Sequence, residues 1–214
     1  MKDLILQTFM DYKIYFPSLS SSQQQQLERM EELFKEKNEM VNVVSRKDID
    51  NIAVNHILHS LAIAKYLKFQ PGTKIVDLGT GGGLPGLPLA VIFPDVKFHL
   101  IDRIGKKVRI AQEIADELDL KNVSTQHGDM GECHEKFDFV VSRAVAELPL
   151  LVKAVKKNIA KDSFNAVPNG LITLKGGDLT EELGQFSSIS EIVDISNYFP
   201  QPFFNSKKIV YTPL

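Results

Sequence analysis

The run IVDLGTGGGLPGLPLA, residues 75–90, sets an acid, a cluster of glycines and a proline directly behind an apolar stretch. Gly79, Gly81, Gly82 and Gly83 let backbone N–H groups come closer to a ligand than any Cβ permits. Pro85 suits the first turn of a helix, where a missing N–H costs nothing. Together these residues read as a loop that holds a nucleotide-type cofactor. Gly81 to Gly86 also satisfies the dinucleotide pattern G-x-G-x-x-G, which alone would suit a pyrophosphate. Asp77 argues otherwise. A carboxylate two residues before the first glycine would repel a pyrophosphate, whereas S-adenosylmethionine brings an amino acid and a sulfonium charge and no phosphate. A second acid, Asp102, ends the apolar run Val96 to Ile101, about where an acidic residue meets ribose hydroxyls in such folds.

Two cations complete the set. Arg143 follows Phe137-Asp138-Phe139-Val140-Val141, and Lys175 follows Leu171-Ile172-Thr173-Leu174. Each stands at the carboxyl end of an apolar strand, where a buried charge is expensive unless paired. Lysines and arginines at 97, 103, 106, 107 and 109 surround Asp102, and lysines at 153, 156, 157 and 161 recur at helical spacing. Either cluster can be a solvated face. Their position near the cofactor end of the sheet favours contact with a polyanionic substrate.

The elements that must position these residues follow from periodicity. Residues 1–70 read as helical throughout, with apolar positions such as Leu27, Met30, Leu33 and Phe34 at spacings of three and four. Ser20 to Ser22 offer N-caps. The turn-rich junction Lys68 to Thr73 then separates this helical extension, residues 1–70, from strands alternating with helices over residues 71–214, the signature of a parallel α/β sheet. Strands are expected at 74–77, 97–102, 123–127, 137–142, 170–175, 189–198 and 207–212. Helices are expected to start near Pro85, Lys106, Leu148 and Glu181. Ligands on such sheets bind beyond the carboxyl ends of the strands.

Composition bounds the remaining possibilities. The 214 residues, 43% hydrophobic, supply ample material for a core. No segment approaches a membrane span, no leader peptide is evident, and the single cysteine excludes an internal disulfide framework. A cytoplasmic protein is expected, acting as a monomer. The formal net charge of −2 gives no global pull on nucleic acid, so polyanion binding must use a local patch. His56 and His59 share a helical face but lack companions at zinc spacing, and no metal is expected.

The D-x-G-x-G-x-G pattern resembles motif I of the class I methyltransferases. Beside it stand Asn42-Val43-Val44-Ser45-Arg46, His56-x-x-His59-Ser60-Leu61, Gly83-Leu84-Pro85-Gly86, Ser142-Arg143-Ala144-Val145-Ala146 and Leu174-Lys175-Gly176. Their order and spacing are similar to those of the glucose-inhibited division protein B family, over residues from about 36 to 211. The resemblance implies a Rossmann-like seven-stranded class I fold. It also implies S-adenosylmethionine as cofactor, and transfer of its methyl to N7 of one guanosine in small-subunit (16S) ribosomal RNA, near the decoding region. It implies that Gly79 and Leu84 contact the cofactor, that Met130 and Gly131 hold its adenine end, and that Arg143 reaches the cofactor or the base. Asp129, after the third strand, suits the polar side of an adenine site. The expected cofactor set is therefore Asp77, Gly79, Gly81, Gly83, Leu84, Asp102, Asp129, Met130, Gly131 and Arg143. Arg143 and Lys175 are expected at the reaction centre, and Asn42, His56, Pro85, Lys106 and Lys107 on the substrate. Two features depart from the family pattern: His59 stands where many members carry an aspartate, and Lys161 to Asn169 is longer than the usual connection.

Chemistry at guanine N7 asks little of these residues. The nitrogen has an available lone pair and loses no proton, so transfer needs positioning and electrostatic control rather than a general base. Arg143 and Lys175 could hold a phosphate or the O6 and N7 edge, provided that N7 stays free at the moment of attack. Other methyl acceptors fit less well. Adenine amino-methylation usually relies on an Asn/Asp-Pro-Pro-aromatic motif, but Ser142-Arg143-Ala144-Val145 stands there. Cytosine C5 chemistry needs a thiolate, and Cys133 lies outside the usual setting. The alternatives are a methyltransferase for another RNA or a protein, and a non-catalytic dinucleotide-binding module.

Overall fold

The structure is a computed structural model that describes residues 9–214. Its strands are β1 (Lys74–Leu78), β2 (Lys97–Asp102), β3 (Val123–His127), β4 (Phe139–Arg143), β5 (Gly170–Gly176), β6 (Glu191–Asp194) and β7 (Lys207–Pro213). They form one sheet in the order β3-β2-β1-β4-β5-β7-β6, parallel except that β7 runs antiparallel to both β5 and β6. Ile75, Val76, Phe139, Val140 and Val141 are all fully buried, which is why the central strands read as continuous apolar runs rather than alternating ones. Chain order reverses between β1 and β4, and a crevice opens at the carboxyl ends of the strands at such a switch point.

Among the described residues, six α-helices flank the sheet: α1 (Ser21–Asn38), α2 (His59–Tyr66), α3 (Gly86–Ile92), α4 (Gly105–Glu117), α5 (Leu148–Val155) and the single turn α6 (Thr180–Leu183). A reciprocal capping box starts α1: Ser20 Oγ accepts from the Gln23 N–H, and Gln23 Oε1 accepts from the Ser20 N–H. The Gln23 amide also donates to the Val91 and Ile92 carbonyls, so the start of α1 is tied to the end of α3. Leu27, Phe34, Leu58 and Leu61 join Ile75, Phe98 and Phe139 in one apolar cluster; the helical segment and the sheet share that core. Val76, Ile101, Val140, Leu151 and Leu171 form a second cluster on the other face, as strand alternation requires.

Two expectations need correction. Residues 1–70 are not helical throughout: residues 1–8 lie outside the described residues, and residues 39–48 form a loop. That loop is held by the Asn38 side chain, whose Oδ1 accepts from the Val43 and Val44 N–H groups at 2.9 Å each and so competes with continuation of the helix. The helix that resumes at Ile52–Leu58 is π-helical before it tightens into α2. Residues 189–198 hold only a four-residue strand, because Ile195 turns inward to full burial in a 3₁₀ turn. The helix expected to start near Glu181 does start there, at Thr180, and ends after one turn at Gly184, with φ +45°.

Candidate active site

A cleft of about 1070 Å³ lies at the carboxyl ends of the strands, around the switch point between β1 and β4. It takes Gly79, Gly81 and Leu84 from the glycine loop, Asp102 from β2, Asp129 and Met130 from the segment after β3, and Arg143 and Lys175 from the ends of β4 and β5. His56 and Lys107 line it as well. Asp77, Gly83, Pro85, Gly131, Asn42 and Lys106 do not. Pro85 and Gly83 are buried beneath the loop, so neither is placed to meet substrate or cofactor directly. Asn42 and Lys106 are exposed outside the cleft, Asn42 accepting from Arg46 Nε at 3.1 Å. Gly131 is also exposed and supports the site from behind, its N–H bonding Asp129 at 2.7 Å.

Asp77 is the main correction. It is fully buried, and one oxygen, Oδ2, accepts from Thr80 Oγ1 at 2.6 Å and from the Gly86 N–H at 2.8 Å. It braces the two ends of the glycine loop instead of facing a ligand. Burial pushes its carboxyl up to about 7, against the opposing effect of those two hydrogen bonds and of the Arg143 charge. An unfolded aspartate releases its proton near about 3.9, so between roughly pH 4 and pH 7 the folded state binds more protons and the contribution of Asp77 to stability falls as pH rises. Asp77→Asn should therefore look more favourable relative to wild type at pH 8 than at pH 5, as read from thermal midpoints. An identical difference at both pH values would remove this assignment.

Asp102 is braced in the same manner but stays open to the cleft. Its oxygens accept from the Gly81 and Ile104 N–H groups at 2.8 Å each, and a carboxylate has further lone pairs to offer. Asp129 accepts from Gly131 and pairs with Arg103; these bonds hold its carboxyl below the usual carboxylate range. Met130 is almost fully buried beside it.

Arg143 is half-buried, and no carboxylate of the described residues lies within ion-pairing distance. Burial lowers it to about 10, with Asp77 and Asp48 opposing, so it remains a cation at neutral pH. The next residue, Ala144, holds a left-handed φ of +55°, a strained choice for a residue with a side chain. That turn lays Val145 over Gly79, where a Cβ would lie 2.4 Å from Val145 Cγ2.

Lys175 also borders the cleft, but its ammonium is already engaged. It bonds the Ala146 carbonyl and Glu182, each at 2.6 Å, and Glu182 in turn accepts from the Leu148 N–H. Lys175, expected at the reaction centre, thus borders the cleft and also clamps the 144–148 turn.

Of the opposite wall, sequence reasoning pointed to His56 and missed Asp48, Phe203 and Lys207. Asp48 accepts from Asn55 Nδ2 at 2.7 Å and pairs with His56 Nε2 at 2.6 Å; His59, Phe203 and Lys207 complete that side. Burial alone would raise Asp48, but the bonds from Asn55 and His56 bring it below the usual range. Burial and the nearby Arg143 charge lower His56 in spite of Asp48, and the same two causes push His59 down to about 3. The eight-residue offset of Asp48 from His56 spans a loop and a π-helical turn, so no periodic pattern announces it. Phe203 and Lys207 arrive from the far end of the chain.

The sheet and helices that carry this site are similar in fold to those of solved methyltransferases. A precorrin-6y C5,15-methyltransferase from Geobacter metallireducens superposes with TM-score 0.55 at 11% identity, covering 73% of this chain and 87% of that one. At such identity the likeness shows the fold alone, an α/β Rossmann-like class I methyltransferase. The decisive match lies in the sequence, where the family model for rRNA small subunit methyltransferase G matches residues 23–198.

The chain belongs to the rRNA small subunit methyltransferase G family.

Relatives called ribosomal RNA small subunit methyltransferase G agree along nearly all of their length. One from Bacteroides thetaiotaomicron is 51% identical over 94% of this chain and 97% of its own. Another from Porphyromonas gingivalis is 50% identical over 94% and 91%. This member of the rRNA small subunit methyltransferase G family is an S-adenosylmethionine-dependent transferase, and the dinucleotide-binding alternative is set aside. Among the described residues no group of His, Cys, Asp and Glu is arranged to hold a metal, and no helix is long and apolar enough to cross a membrane.

Proposed function

We propose that this enzyme methylates N7 of a single guanosine in 16S ribosomal RNA near the decoding region, in the cytoplasm, acting as a monomer on the RNA or on the assembled small subunit. The observation that carries the reading is the cationic side chain left without a carboxylate, Arg143, beside a glycine loop suited to S-adenosylmethionine.

The residues present fit that cofactor. A Cβ built on Gly81 would meet no described atom nearer than 4.0 Å, so this backbone faces open cleft. Asp102 can accept from ribose hydroxyls, while Met130, Ile101 and Leu78 supply an apolar bed next to Asp129 for the adenine. Gly79 and Leu84 flank the remainder. When bound, the cofactor supplies an electrophilic methyl on a sulfonium. The protein's own part is to place an acceptor and to exclude water. Guanine N7 needs no base, which suits a cleft whose histidines are held neutral. Arg143 donates to guanine O6, orienting the ring while leaving N7 free. Lys107, with Arg103 and Lys106 at the rim, meets the RNA backbone, a local patch that offsets the near-neutral net charge. The last helical turns of the extension that precedes the sheet, from Ile52 to Tyr66, complete the substrate side.

Nucleoside mass spectrometry of 16S RNA from cells with and without this chain tests the reading. One 7-methylguanosine per RNA is expected to depend on the chain. An unchanged 7-methylguanosine level would send the search to another RNA or a protein.

A further inference from the structure

The cleft wall opposite the glycine loop carries two imidazole nitrogens with no hydrogen-bond partner among the described residues: His56 Nδ1 and His59 Nε2. His59 is only 6% exposed, yet it lines the cleft. Leaving a buried polar atom unpaired is costly, and two such atoms on residues that line one cavity point to a ligand that completes them once the rings turn toward it.

The protonation of both rings follows from their neighbours. His56 Nε2 faces the Asp48 carboxylate, which only accepts, so Nε2 carries the ring proton and Nδ1 is a bare acceptor. The polar group acting on His59 from its own helix is the Asn55 carbonyl one turn back, also an acceptor, which leaves Nε2 bare. Burial and the Arg143 charge keep both rings neutral. Two cleft-lining rings thus carry bare, buried acceptors three residues apart on one helical face, where the Ile52–Leu58 π turn gives way to α2. Beside them, Phe203 packs edge-on to His59, with ring centroids 5.5 Å apart, and is itself half-buried along the cleft. Lys207 Nζ lies 4.9 Å from the centre of that ring.

We propose that His56 Nδ1 and His59 Nε2 read the Watson–Crick edge of the target base by accepting from guanine N1–H and N2–H, with Phe203 as the stacking platform. This assignment rests on the guanine reading above. Guanine is the base whose Watson–Crick edge offers two adjacent donors; adenine and uracil each pair one donor with an acceptor that would face a lone pair here. N7 lies on the opposite side of the purine, so recognition at this edge leaves the nucleophile turned toward the cofactor side. A half-buried aromatic ring suits a base swung out of its stack.

The test uses the full-length enzyme and small subunits reconstituted with RNA carrying guanine, hypoxanthine or 1-deazaguanine at the target position. Hypoxanthine lacks the 2-amino group and 1-deazaguanine lacks the N1 proton, while both keep N7. Each analogue is expected to lower kcat/KM about 5- to 100-fold, the usual effect of leaving a buried acceptor unpaired. His59→Phe should lower kcat/KM on guanine and narrow the penalty for the analogues, with calorimetric S-adenosylhomocysteine binding unchanged. Wild-type turnover of both analogues at the guanine rate overturns the proposal, and so does a folded His59→Phe enzyme that discriminates as wild type does. Should that variant not fold, the analogue series on the wild-type enzyme decides alone. Failure of the wild type to methylate unmodified guanine, with S-adenosylhomocysteine still bound, overturns the guanine reading itself.

Discussion

Arg143→Ala is expected to depress methyl transfer about 100- to 1,000-fold, the effect of deleting one preorganised charged donor at a reaction centre. The fold should survive, because the guanidinium makes no ion pair with the described residues whose loss would strand a partner. Removing it also relieves the chain of a half-buried charge, so the thermal midpoint should hold or rise. Arg143→Lys keeps the charge but not the planar fork and should recover only part of the rate. S-adenosylhomocysteine affinity, measured by calorimetry, separates the two roles assigned to this residue. Unchanged affinity with lost turnover places Arg143 on the base, whereas affinity lost in step with turnover places it on the cofactor. Near-normal turnover would overturn both roles.

The glycine loop gives the second large effect, and it divides by position. At Gly83 the backbone holds φ +107°, and a Cβ would lie 2.2 Å from Leu87 Cδ1 and 2.6 Å from Leu87 Cγ, on a side chain that is fully buried and cannot swing away. Strained backbone and overpacking together should cost Gly83→Ala about 2–5 kcal/mol. For a chain of this size that is a fall of about 5–15 °C in thermal midpoint. At Gly81 the φ is +57° but the space beyond is open. Gly81→Ala should therefore lose little stability, about 1–2 kcal/mol, and should lose cofactor affinity because its methyl points into the cleft. Differential scanning fluorimetry with and without S-adenosylhomocysteine distinguishes the two. Gly83→Ala should melt early but still be shifted upward by ligand; Gly81→Ala should melt near wild type with little ligand shift. The reverse pattern would mean that the loop faces the other way.

These contrasts show what a sequence can and cannot carry. The strands at the switch point were legible because burial on both faces writes itself as apolar runs, as in Phe139 to Val141 ahead of Arg143. The glycine loop was legible because its spacing is local. Asp77 was misplaced for an instructive reason: its type and position suit a ligand contact and a loop brace equally, and only the bonds to Thr80 and Gly86 decide. The engagement of Lys175 was illegible likewise, since Glu182 reaches it from across a turn. The part of the wall made by Asp48, Phe203 and Lys207 was hidden because it joins a loop, a 3₁₀ turn and the start of the last strand, none of which has a period to read. The helical reading of residues 39–48 failed because one side chain, Asn38, outcompetes the backbone there.

The most direct measurement is transfer of tritium from labelled S-adenosylmethionine by the purified enzyme to small subunits from cells lacking it, with the label mapped by scission at 7-methylguanosine. The account predicts label at one guanosine near the decoding region, absent with Arg143→Ala. Label on another base or atom, or no label from an enzyme that still binds S-adenosylhomocysteine, would contradict it.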